Sequence, residues 1–180
     1  MYPALCFLKI YVFRVDIRVK SDYNSLIMLR KAAIDDAKGI YDLLAFWAKK
    51  GKLLERSLNY IYEHIRDFWV YTDKGKVCGC CALHIIGWED LAEVKSLAVA
   101  KNYQKRGIGV KLVRQCLEEA KQLGLKNIFA LTFVDGFFKK QGFTEVDKKD
   151  LPHKIWSDCI NCVSFPNCNE KAVIFRFAKQ

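Results

Sequence analysis

The chain has 180 residues, 52% of them hydrophobic and 28% charged, a mixture that builds one domain, or one plus a small appendage, around a real core. That excludes a disordered tail protein and a collagen-like sequence, and no apolar run reaches the ~20 residues of a membrane-spanning helix. The net charge of +10 admits nucleic acid, an anionic surface or an anionic small ligand as partner. The basic pairs Lys49-Lys50, Lys105-Arg106, Lys139-Lys140 and Lys148-Lys149 are scattered, however, and only Lys105-Arg106 falls in a motif that asks for an anion.

Residues 1–27 are apolar and aromatic, with Arg14, Arg18 and Lys20 among them. They read as an N-terminal extension, with Met28 as an alternative start. Lys9 interrupts their apolar stretch, and no basic region or small-residue cleavage site frames it as a secretion signal. The eight cysteines are therefore expected to be reduced thiols in the cytoplasm.

Leu29–Ala32 reads as a first strand. Asp35-Asp36 can cap a helix through Lys49, with Ile40, Leu43, Leu44 and Trp47 at helical spacing and Gly51 as its stop. Ser57 is the N-cap of a second helix through Arg66. Strands follow at Phe68–Thr72 and Lys76–Ile86, joined by the turn Asp73-Lys74-Gly75, and then at Leu91–Val99. Beyond Gly109, Leu112, Val113, Cys116, Leu117, Ala120 and Leu123 form one helix face, which Gly124 ends. A strand at Asn127–Thr132, a short helix at Gly136–Gln141, a strand at Phe143–Val146 and a strand-like Ala172–Phe177 complete an α/β fold with a mixed central sheet. Residues 28–150 make the main domain; 151–180 form a cysteine-containing segment packed on it.

The strand Leu97-Ala98-Val99, then Gln104-x-x-Gly107-x-Gly109, then a long helix, is the central signal. Glycines let the backbone approach an anion. The first helical turn offers unpaired N–H groups and a positive dipole end, and Lys105 and Arg106 add charge. A diphosphate suits this loop. The third glycine of a dinucleotide fingerprint is missing, as is the Gly-Lys-Ser/Thr of a nucleotide P-loop; a glycine-softened loop without ligand is the plain alternative.

Cys159, Cys162 and Cys168 follow His153, a set that could hold tetrahedral zinc or be packed thiols. No metal site is assigned. His64 and His84 lack metal spacing and read as a helix-surface residue and a core or rim residue.

Gln104-x-x-Gly107-x-Gly109 after Leu97-Ala98-Val99, with Phe137-Phe138-Lys139-Lys140-Gln141-Gly142-Phe143 later, resembles the GNAT superfamily of N-acetyltransferases over about 29–146. Further segments are similar to the acetyltransferase domain of bacterial N-acetylglutamate synthases, in a short stand-alone form. These are Gly51–Ser57, Cys81–Leu83, Ala92–Val99, Phe129–Thr132 and Val146–Pro152. The resemblance implies a GNAT-like fold and acetyl-CoA as cosubstrate, held by Leu97, Ala98, Val99, Gln104, Lys105, Arg106, Gly107, Ile108, Gly109 and Val110. It also implies acetyl transfer to the amine of a small amino acid, L-glutamate foremost, with Arg56, Ser57 and Lys95 at the substrate.

Glu93, just before the cofactor segment, is the base candidate; its plain alternative is a strand carboxylate paired with Lys95. Phe138 stands where many members carry a tyrosine, so the sequence offers no general acid there. Another amine (a polyamine, an antibiotic or a protein N-terminus) is the second reading, and a coenzyme-A-binding regulatory or nucleic-acid module the third. Nucleic acid and membrane are not expected partners; a homodimer is admitted.

Overall fold

The computed structural model describes residues 28–86, 90–151, 159 and 167–178. The chain forms β1 (Met28–Lys31), α1 (Ala37–Ala48), α2 (Leu58–Glu63), β2 (Phe68–Asp73), β3 (Lys76–Ile85), β4 (Leu91–Val99), α3 (Ile108–Gln122), β5 (Asn127–Thr132), α4 (Asp135–Lys139), β6 (Thr144–Val146) and β7 (Lys171–Arg176). The described strands make one mixed sheet in the order β1-β2-β3-β4-β5-β7-β6. The GNAT-type α/β architecture follows, with helices on both faces.

Local chemistry sets the element ends. Lys74 and Gly75 both have positive φ, 48° and 73°, the geometry of a two-residue hairpin turn between β2 and β3. Gly124, at φ 76°, closes α3: its N–H bonds to Lys121 and that of Leu125 to Ala120, satisfying the last carbonyls. Ser57 caps α2, its Oγ accepting from the Tyr60 N–H at 3.1 Å. The sequence suggests α2 through Arg66, but it stops at Glu63. His64 leaves helical geometry at φ −109°, ψ 19°, and Ile65–Asp67 form a tight 3-10 turn. That turn feeds β2 directly.

Two apolar layers hold the sheet. Ile108, Leu112, Val113, Cys116 and Ala120 of α3 pack on Cys81, Leu83, Ala92, Val94, Ile128 and Ala130. On the other face Ile40, Leu44 and Ile61 of α1 and α2 pack on Phe68, Val70, Cys80, Ala82 and Ala98. Phe138 is 4% exposed and lies in the first layer, its ring edge-on to Phe143 at 5.2 Å. β7, from the segment after residue 150, pairs with both β5 and β6.

Gly79 is a contact point. A Cβ there would sit 3.1 Å from both Ile108 and Leu112, so the bare backbone lets the first turn of α3 lie against β3. Gly79→Val is expected to overpack this seam and lower stability by roughly 1–3 kcal/mol, measured as a lower denaturant midpoint with unchanged slope.

Candidate active site

β4 is the axis of the site. It pairs with β3 along its length, but its register slips once. Cys80 faces Ala98 and Ala82 faces Lys95, so Cys81 stands opposite two residues, Ser96 and Leu97. Ser96 takes a positive φ of 54° at this bulge. A bulge adds twist and re-aims the strand. On its other side β4 runs parallel to β5 only from Leu91–Asn127 to Glu93–Phe129. The described ladder ends there, although both strands continue. Beyond Glu93 the described residues of β4 and β5 make no further ladder pair.

β4 leads directly toward the glycine loop. Gln104–Gly107 are exposed. Lys105 and Gly107 have positive φ, 61° and 75°, and Gly107 caps α3. The start of this long helix therefore has no side-chain cap and directly follows the exposed Lys105 and Arg106. Arg106 stacks over Tyr103 at 5.1 Å. These groups could hold an anion with two phosphates; on the strand before them the Val99 carbonyl already accepts from Trp47 Nε1 at 3.1 Å and Gln104 Nε2 at 3.5 Å.

On the α2 face, Glu93 and Lys95 lie side by side. Their side chains are 13% and 7% exposed, and Lys95 Nζ is 3.4 Å from Glu93 Oε2. Glu93 thus has Lys95 as its partner, and a base role remains open to the same carboxylate. The Tyr60 ring gathers the cations, with Arg56 at 4.9 Å and Lys95 at 6.0 Å. Arg56 and Lys95 therefore converge, whereas the Ser57 hydroxyl is engaged in capping α2.

Glu170 joins this group from the chain just before β7. Burial pushes its carboxyl above the ordinary range; the Cys168 thiol opposes that, the charge of Glu93 adds to it, and Lys148 and Arg56 counter it. Lys148 is fixed by a 2.8 Å bond from Nζ to the Cys168 carbonyl. Tyr60, Lys148 and Glu170 carry no motif; Arg56 precedes the α2 cap and folds back over Tyr60, and only strand pairing brings Glu170 near Glu93.

Cys78, Cys80, Cys81 and Cys116 are buried free thiols, and burial pushes the Cys80 thiol up to about 12. Such thiols are not nucleophiles. Of the zinc candidates, Cys159 and Cys168 are described, whereas His153 and Cys162 lie outside the described residues. Among the described residues no three His, Cys, Asp or Glu side chains gather around a metal-sized space. No helix among them is long and apolar enough to cross a membrane. A separate groove of about 520 Å³ lies between α1 and Ala100–Tyr103; apart from the shared neighbourhood of Tyr103, it has none of the sequence-predicted residues in its wall.

The acetyltransferase (GNAT) family model matches residues 34–143. The chain belongs to the GNAT acetyltransferase family. This GNAT chain is 40% identical to an uncharacterized N-acetyltransferase of Chlorobaculum tepidum, over 81% of its own length and 94% of the relative's. It is 36% identical to an amino-acid acetyltransferase of Mycobacterium tuberculosis, over 73% of the chain and 76% of the relative. Among solved structures it is similar to the N-acetylglutamate synthase of Neisseria gonorrhoeae complexed with coenzyme A and N-acetyl-glutamate, with TM-score 0.78 and 26% identity. That match covers 87% of this chain but only 36% of the Neisseria one. It is an acetyl-CoA-dependent N-acetyltransferase.

The raised Glu170 carboxyl has a measurable consequence. Unfolded, it loses its proton in the ordinary range; folded, it loses it later. Folding then takes up a proton in between, and stability falls as pH rises from the ordinary carboxylate range to the raised Glu170 value. Glu170→Gln removes this decline. Melting temperatures recorded from about pH 4 to about pH 7 are expected to fall less in the variant than in the parent.

Proposed function

We propose that the protein transfers acetyl from acetyl-CoA to the α-amine of an amino acid, and that L-glutamate is that acceptor. The observation that carries this reading is the convergence of Arg56 and Lys95 on Tyr60, beside Glu93. A dicarboxylic amino acid needs cations for its carboxylates and a base for its ammonium group, and this pocket offers both within one patch. Guanidinium binds carboxylate bidentately. The names of the relatives, amino-acid acetyltransferase and N-acetylglutamate synthase, support the same choice.

Three needs define the chemistry. The acceptor ammonium must lose a proton; Glu93 takes it, directly or through one water. The attacked carbonyl gains negative charge; the N–H of β4 at Leu97, beyond the strand's last pair with β5, meets it, whereas Ala98 is turned to Cys80 of β3; one such donor is worth ~3 kcal/mol. The coenzyme must be held still meanwhile; Gln104–Val110 grip its diphosphate, and the β4 edge aligns its arm. Phe138 gives no proton to the departing thiolate, since its ring lacks a hydroxyl and lies in the core.

Thiol release from acetyl-CoA, scanned over single amino acids, tests the acceptor. Turnover with glutamate well above all others is expected; no turnover with glutamate but turnover with a different amine overturns the assignment. Glu93→Gln should lower kcat by about 10²–10⁴-fold while the calorimetric affinity for coenzyme A stays within about twofold. Arg56→Ala should raise the acceptor KM by roughly 10–100-fold, the loss of a charged hydrogen-bonded pair worth ~1.5–3 kcal/mol, with kcat less affected.

A further inference from the structure

His84 has no part in the reading above, yet the sheet sets it directly against Glu93. The two are antiparallel partners in the β3–β4 register, so their side chains share one face with Cβ atoms about 4.5–5.5 Å apart. This is the α2 face, where Lys95 meets Tyr60.

The histidine is oriented from behind. Its Nδ1 lies 2.6 Å from Oδ2 of Asp67, in the 3-10 turn between α2 and β2. An ionised carboxylate only accepts, so Nδ1 carries the hydrogen and the neutral ring keeps its Nε2 lone pair for another partner. A stack fixes the side of the ring. His64, at the end of α2, lies 5.3 Å from His84 between ring centroids and is itself stacked on Tyr60 at 4.1 Å. Among the described residues, the charged and titratable groups around His84 are thus Asp67, His64 and, on β4, Glu93 with Lys95 beyond it.

The burial is graded. The Glu93 side chain is 13% exposed, and those of His84 and Asp67 are 25% and 26% exposed. A proton taken by Glu93 has to leave before the next turnover, and the graded path runs outward through His84. Imidazole is the side chain suited to accept and release a proton near neutral pH.

We propose that His84, oriented by Asp67, passes the acceptor's proton from Glu93 to solvent. The amine proton moves to the Glu93 carboxylate. Glu93 then returns to its ionised form as Nε2 of His84 takes the proton, directly or through one water. The imidazolium, stabilised by Asp67, releases it to bulk water. No bond other than N–H and O–H changes, and each group ends in its starting state. This inference rests on the proposed role of Glu93 but not on glutamate as the acceptor.

The test pairs His84→Ala and His84→Gln with the amine the enzyme turns over fastest. Both should lose kcat by about 10–100-fold, with acceptor KM and coenzyme A affinity held within about twofold, and added imidazole should restore much of the loss in His84→Ala. Unchanged kcat, or a loss that imidazole leaves untouched, overturns the relay and leaves His84 a packing residue. A second arm needs no turnover: the His84 ring is titrated by NMR in the parent and in Glu93→Gln. Removing the neighbouring negative charge should move its midpoint to lower pH by ~0.5 or more; an unmoved midpoint refutes the coupling. If the parent turns over no amine at all, the proposed acceptor chemistry fails, and the NMR arm still decides the His84–Glu93 link.

Discussion

The structure depends on a broken partnership. β4 and β5 hold each other for three residue pairs and then let go, while β3 keeps its hold on the far side of β4. An unpaired strand edge inside a protein is costly unless something else satisfies it. Here Trp47 and Gln104 satisfy the Val99 carbonyl, the strand leads into the exposed glycine loop, and the same strand carries Glu93 and Lys95. The residues proposed for cofactor and acceptor therefore share one nine-residue element, with the bulge at Ser96 between them.

Much of this was legible in the residues. Leu91–Val99 appears as a strand with its expected bounds because its residues are apolar and β-branched enough to show a buried element. α3 was visible from its apolar face and its glycine stop. The glycine loop is readable because glycine at a helix start is a backbone requirement, seen at Gly107 in its left-handed conformation. The short α2 was not: periodicity continues through Ile61 and Ile65, but the turn at His64 comes from entry into β2, a tertiary constraint that local pattern does not carry.

The residues proposed for the acceptor divide the same way. Arg56 and Lys95 were visible as cations and by family likeness, but their meeting at Tyr60 is a fact of packing between α2 and β4. Glu170 and Lys148 were silent because they reach the site through β7 and the turn after β6, far along the chain from Glu93. His84 was read as a core or rim residue; only register puts it across from Glu93. Ser57 shows the reverse: a hydroxyl marked for substrate has a helix-capping duty that accounts for its residue type by itself.

The position of β7 bears on how the chain is made. This strand is synthesised after every other described strand, yet it fills the slot between β5 and β6. Until it leaves the ribosome, those two strands have no common neighbour and present bare edges. A nascent or prematurely terminated chain would hold the glycine loop and β4 already shaped while its other half stayed adhesive to like strands. The arrival of β7, rather than collapse of the first half, is thus the event that joins β5 to β6.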